Sequence, residues 1–81
     1  MKKPWYVYIL ECSDGSFYTG VTTDVDARME AHATGKGSKY VYAKGFKKLL
    51  RERLCKDRSD ACKCECEIKK LPRNQKLGWF D

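Results

Sequence analysis

At 81 residues the chain is a single domain spanning 1–81, and a domain of this size buries only about 60% of the surface its unfolded chain exposes. Seventeen Lys and Arg against eleven Asp and Glu give a formal charge of +6 and a pI near 9.1, a balance that favours polyanionic partners such as nucleic acid. No apolar run reaches membrane-spanning length, and "MKKPWYVYIL" lacks the apolar length and small-residue cleavage site of a secretory leader, so a cytoplasmic protein with no membrane partner is expected.

"WYVYILEC" is rich in aromatic and β-branched residues and reads as a strand, and "GSFYTGVT" repeats the signal after a Ser-Asp-Gly turn. The two form a hairpin whose loop length decides which side chains share a face. A two-residue Asp14-Gly15 turn would pair Leu10 with Thr19 and place Tyr8 and Tyr18 on opposite faces. A three-residue Ser13-Asp14-Gly15 loop, with Gly15 left-handed in a bulge, would pair Leu10 with Tyr18. The second version gathers Tyr8, Tyr18 and Gly20 on one face, with Val7, Ile9, Phe17 or its neighbours, and Val21 on the other.

Thr23 or Asp24 can cap a helix whose first turn holds acidic Asp24 and Asp26, and which runs to about Thr34 and stops near Gly35. Val25, Met29 and Ala33 follow helical spacing toward the core, while Arg28 and His32 lie four apart on a neighbouring face. "GKGSKYVYAKG" reads as a basic, aromatic-bearing loop with room for a turn of helix. "FKKLLRERL" is a third strand, and its charge density places it at a sheet edge. Ser59 or Asp60 opens a second helix with an apolar stripe of Ala61, Cys64, Ile68 and Leu71 and with Glu65 on its margin. Pro72 suits the first turn of a short last helix that ends near Gly78 and leaves Trp79 and Phe80 to cover the core.

The five cysteines are odd in number, and Cys62, Cys64 and Cys66 alternate within one segment, a pattern unlike a disulfide framework and suited to a reduced compartment. Four thiolates would suffice for structural zinc. On a helix, however, Cys64 points roughly away from Cys62 and Cys66, so a zinc site would need Cys12 or Cys55 to approach the late cysteines.

Tyr-Val-Tyr in a first strand, Tyr-Thr-Gly in a second, Arg and His on the next helix and a Glu on a later one resemble the GIY-YIG nuclease superfamily, in particular its small stand-alone bacterial branch. The resemblance covers nearly the whole chain, including "DGSFYTGVTTDVDARMEAH", "GKGSKY" and "EIKKL". It implies an α+β fold, a three-stranded antiparallel sheet flanked by helices in the order β-β-α-β-α. It also implies hydrolysis of phosphodiester bonds in DNA with one divalent metal, Mg2+ or another such as Mn2+. By the same resemblance Tyr8 and Tyr18 stand for the two motif tyrosines, Gly20 closes the second motif, Arg28 and His32 match the helix residues, and Glu65 matches the metal-binding carboxylate. The name-giving pattern is altered here: Tyr6 and Val7 precede Tyr8, and Thr19 stands between Tyr18 and Gly20. Glu67 lies two residues from Glu65, and the choice between them follows the spacing Glu65, Ile68, Lys69, Lys70.

Chemistry supports the same residues independently. Phosphodiester hydrolysis requires an activated water and stabilisation of charge growing on phosphoryl oxygens. Arg28 offers a permanently charged planar fork for the second task, and one carboxylate such as Glu65 suits Mg2+ better than zinc. For water activation Tyr8 and Tyr18 both stand as base or water-positioning group, with His32 assisting through its more convenient pKa. Gly20 would let substrate approach the strand closely. Lys36 and Lys39, interleaved with Tyr40 and Tyr42, suit a surface that tracks a backbone and stacks on bases. Taken singly, each of these residues has a plainer role: strand tyrosines pack sheets, and Glu65 can simply pair with Lys69. The rival reading is therefore a non-catalytic nucleic-acid-binding module on the same fold.

Overall fold

The computed structural model describes residues 3–81; Met1 and Lys2, the start of the segment weighed above as a leader, lie outside them. The elements run β1 (Trp5–Cys12), β2 (Phe17–Thr22), α1 (Val25–Ala33), α2 (Lys39–Lys44), β3 (Phe46–Cys55), α3 (Arg58–Lys69), α4 (Arg73–Lys76) and a 3-10 turn (Leu77–Phe80). The sheet is antiparallel in the order β2-β1-β3. Charged β3 thus occupies an edge, where its outward side chains stay solvated. Among the described residues no helix is long and apolar enough to cross a membrane.

Leu10 pairs with Tyr18, and Tyr8 with Gly20. The three-residue loop produces this register: Cys12 N–H donates to Ser16 O at 2.8 Å, and Gly15 takes φ 87°, a conformation that costs glycine little. Side chains of β1 therefore sort cleanly onto two faces. Val7 and Ile9 pack with Cys55, Ala61 and Ile68 beneath α3. Tyr8, Leu10 and Cys12 pack with Val41 on the other face, flanked by Tyr18, Met29, Phe46 and Leu49.

Two register shifts in β3 matter for the second face. Ile9 pairs with Arg51 but Leu10 with Leu49, and Glu11 pairs with Lys48 but Cys12 with Phe46. Leu50 and Lys47 are the extra residues, so Phe46 and Leu49, three apart, both reach the Tyr8 face. In a regular strand they would point to opposite sides.

Helix α1 is capped by Asp24, whose carboxylate accepts from Ala27 N–H at 3.0 Å. Val25 is buried as the spacing predicts, but Ala33 is exposed and His32 takes the inward position instead. The loop segment after α1 contains a full short helix, α2, capped by Ser38. Helix α3 begins earlier than Ser59 or Asp60 because Asp57 caps it, accepting from Asp60 N–H at 2.8 Å. Its stripe is carried by Ala61 and Ile68, both fully buried, with Cys64 half-buried; Leu71, expected to extend it, falls after the helix has ended at Lys69. Trp79 and Phe80 pack against the Val7 face. The Arg73 guanidinium lies 4.4 Å from the Phe17 ring centroid and donates to Gly15 O at 2.6 Å, tying the last helix to the hairpin.

Candidate functional site

Tyr8 projects from the central strand with only 2% of its surface exposed, and its Oη lies 2.9 Å from His32 Nε2. Such a bond satisfies two polar atoms that would otherwise be buried unpaired. Tyr18, diagonal to Tyr8 on the same face, meets the His32 ring edge-on at 5.6 Å between centroids and the Tyr8 ring at 6.4 Å. Phe46 stacks on the far side of His32 at 6.4 Å and 15°. The histidine is therefore clamped between aromatic rings from β1, β2 and β3.

The backbone around this cluster is shaped by side chains it must avoid. A Cβ on Gly20 would sit 2.5 Å from Tyr8 Oη and 2.8 Å from its ring carbon Cζ. The missing side chain at Gly20 is thus occupied by Tyr8 itself, where sequence reasoning expected approaching substrate. A Cβ on Gly37 would collide with His32 Nδ1, so the loop after α1 passes directly against the imidazole. His32 Nδ1 is buried and has no hydrogen-bond partner among the described residues.

Electrostatics set the protonation of the pair. Burial, and then the charge of Arg28, lower the His32 pKa below its ordinary 6.5, so the ring is neutral at pH 7. Burial, with Tyr18 and Glu65 adding and Arg28 opposing, raises the Tyr8 pKa above its ordinary 10.0. Tyr8 is accordingly a phenol, not a resident phenolate. Arg28 makes no ion pair among the described residues, which leaves its charge free for an anion.

Glu65 is half-buried on α3, and its charge reaches Tyr8. It pairs with Lys69 at 3.4 Å, the plain role foreseen for it, and keeps its electrostatic link to the tyrosine as well. Glu67 turns elsewhere, accepting from Trp79 Nε1 at 3.3 Å. Tyr40, 43% exposed, stacks on Tyr18 at 5.8 Å and 26°, with the Lys44 ammonium 6.0 Å from its ring centroid. Lys36 and Lys39 line a recess of about 370 Å3 with Gly37 and Tyr42. The basic, aromatic surface thus continues outward from the Tyr8–His32 pair.

Sequence reasoning missed Phe46 and Gly37. The signal for Phe46 was faint: an aromatic three residues before Leu49 breaks strand alternation, and only a bulge reconciles the two. For Gly37 no local signal existed, since its φ is unexceptional and its neighbour is a distant ring.

Comparison with known proteins agrees with this fold. The GIY-YIG catalytic domain family model matches residues 4–77. A UPF0213 protein of Xanthomonas axonopodis pv. citri is 42% identical over 78 residues, covering 96% of this chain and 76% of that one. A UPF0213 protein of Streptococcus agalactiae is 46% identical over 80 residues, covering 99% and 91%. The solution NMR structure of a UPF0213 protein from Bacillus halodurans superposes with a TM-score of 0.57 at 47% identity, covering 93% of this chain and 80% of that one. A sheet of this register, carrying its two motif tyrosines on one face beside an inward histidine, belongs to a chain of the GIY-YIG family, small UPF0213-type branch, and so of a nuclease-like superfamily.

Proposed function

We propose that this protein hydrolyses phosphodiester bonds in nucleic acid, chiefly DNA, with a divalent cation, Mg2+ or Mn2+, held by Glu65. The observation that carries the reading is the Tyr8–His32 hydrogen bond, made inside an aromatic cluster within electrostatic reach of Arg28 and Glu65. Membership of a nuclease-like family supports the reaction class, and the residues supply a matching division of labour.

A hard divalent cation fits this corner of the molecule. Glu65 is a half-buried carboxylate outside any group of three ligand-type side chains among the described residues, which leaves the remaining positions to water and phosphate oxygens, as Mg2+ prefers. When bound, the ion would withdraw charge from a phosphoryl oxygen and acidify water. Arg28 binds and neutralises the same phosphate from α1. Tyr8 Oη accepts a proton from the attacking water as it passes its own to His32 Nε2, the P–O bond to the leaving oxygen breaks as the new P–O bond forms, and the departing oxygen takes a proton from solvent. This relay needs the tautomer with the proton on Nδ1 and needs a neutral imidazole, which burial provides. Tyr18, stacked with Tyr40, positions the strand.

The test is cleavage of labelled single-stranded, duplex and branched DNA, with and without Mg2+, by the native chain, Arg28→Ala and Glu65→Ala. Metal-dependent cutting lost in both variants, with DNA binding retained, supports the reading. Binding without cutting, unchanged by Glu65→Ala, would leave the rival: a DNA-binding module on a nuclease fold.

A further inference from the structure

Across the sheet from the Tyr8–His32 pair, a separate recess of about 650 Å3 is lined by Arg53, Cys55, Lys56, Asp60, Cys64, Glu67 and Trp79. Three ligand-type atoms converge in it. The sulfurs of Cys55 and Cys64 and a carboxylate oxygen of Asp60 all lie within 4.8 Å of one another. We propose that Cys55, Asp60 and Cys64 form a binding site for Zn2+ or a similarly thiophilic divalent ion, distinct from the hard-cation position at Glu65.

The fold brings the three together by a simple route. Cys55 is the last residue of β3 and faces the α3 side of the sheet. Two residues later Asp57 caps α3, which begins within the same turn of chain. Asp60 and Cys64 are then four apart on the helix, one above the other on the face turned to Cys55. Asp60 is held in place by Lys56 N–H, which donates to its Oδ2 at 3.0 Å. A hydrogen bond of this kind is what orients carboxylate ligands in metal sites.

The donor set decides which ion. Two thiolates with a carboxylate are poor partners for Mg2+ or Ca2+ and good ones for zinc. Zn–S bonds near 2.3 Å in a tetrahedron put two sulfurs about 3.8 Å apart. With all three atoms within 4.8 Å of one another, the sulfurs need to close by no more than about 1 Å to reach that separation, which side-chain rotation on a helix face supplies. Each thiol releases its proton to solvent as its sulfur binds. The fourth position opens on the recess, to water or to an outside ligand. Of the cysteines weighed in the sequence, Cys55 and Cys64 take part; Cys66 is exposed, and Cys12 lies in the opposite core. An ion here would fasten the end of β3 to the first turns of α3, the helix that carries Glu65.

The test uses the full chain, reduced and stripped of metal, titrated with Co2+ alone as a spectroscopic stand-in. One equivalent should give thiolate-to-cobalt charge transfer and the visible bands of four-coordinate cobalt, both displaced by Zn2+. The joint change Cys62→Ser and Cys66→Ser should leave these bands intact, and Cys64→Ser should remove them. Asp60→Asn should keep thiolate ligation and weaken Co2+ binding by about ten-fold or more. In the native chain, where folding is not in question, Zn2+ should slow alkylation of Cys64 several-fold and leave Cys66 unchanged. Absence of charge transfer in the native chain, or a band that survives Cys64→Ser and vanishes with Cys62 and Cys66, overturns the proposal. Neither result bears on cleavage at Glu65.

Discussion

Tyr8 Oη and His32 Nε2, 24 residues apart in sequence, meet at 2.9 Å in the interior. Removing the hydroxyl leaves a buried imidazole nitrogen unpaired beside one that already lacks a partner. Tyr8→Phe should therefore destabilise the fold by about 1–3 kcal/mol and lower cleavage by about a hundred-fold or more. Urea unfolding and single-turnover cleavage measure the two effects. Full activity in a folded Tyr8→Phe chain would remove Tyr8 from the proton relay.

The same pair predicts a stability profile with two shoulders. The folded His32 pKa lies below 6.5, so on acidification the unfolded chain takes up a proton that the folded chain refuses, and stability falls as pH drops below 6.5. The folded Tyr8 pKa lies above 10.0, so above that pH the unfolded chain loses a proton the folded chain keeps, and stability falls again. Urea midpoints across pH, for the native chain and His32→Gln, check this. The acid shoulder should flatten in the variant.

Gly20→Ala forces a methyl to within 2.5 Å of Tyr8 Oη. Neither the ring nor the central strand has room to move, and the cost should be about 1–3 kcal/mol. In a Tyr8→Ala background the same change should cost far less. A double-mutant cycle that instead shows additivity would mean the two residues do not conflict.

Glu65→Gln should leave stability within about 0.5 kcal/mol, because the lost pair with Lys69 is a helix-surface pair. Cleavage should nonetheless disappear at every Mg2+ concentration tested. A variant whose rate and Mg2+ dependence are unchanged would place the cation elsewhere.

Lys36→Gln and Lys39→Gln should each weaken DNA binding without regard to sequence and reduce the salt slope by about 1. Tyr40→Ala should cost about 1–3 kcal/mol in binding single strands through lost base stacking. Fluorescence anisotropy over a salt series separates the charge contribution from the stacking one.

The sequence by itself determined what depends on neighbours along the chain. The hairpin and the two registers open to it were legible there, and the fold adopts the three-residue loop with left-handed Gly15, which places Tyr8, Tyr18 and Gly20 on one face. The start of α1 followed to within a residue from Thr23 or Asp24 as a cap, and the buried Ala61 and Ile68 of α3 from helical periodicity. The motif residues in order were enough to indicate the family. What the tertiary structure decided is which atoms meet across elements. Helical spacing put His32 with Arg28 on a face neighbouring the core-facing one, yet the ring turns inward, where Tyr8 offers its hydroxyl and Phe46, brought to this face by the bulges, stacks on it. Gly20 looked like room for substrate and proved to be room for Tyr8. Cys64 found its partner in Cys55 of β3 instead of its neighbours in the Cys62–Cys66 run. Local pattern fixes which face a side chain takes; the docking of helix on bulged strand fixes what it touches there, and the chemistry of this site lies in those contacts.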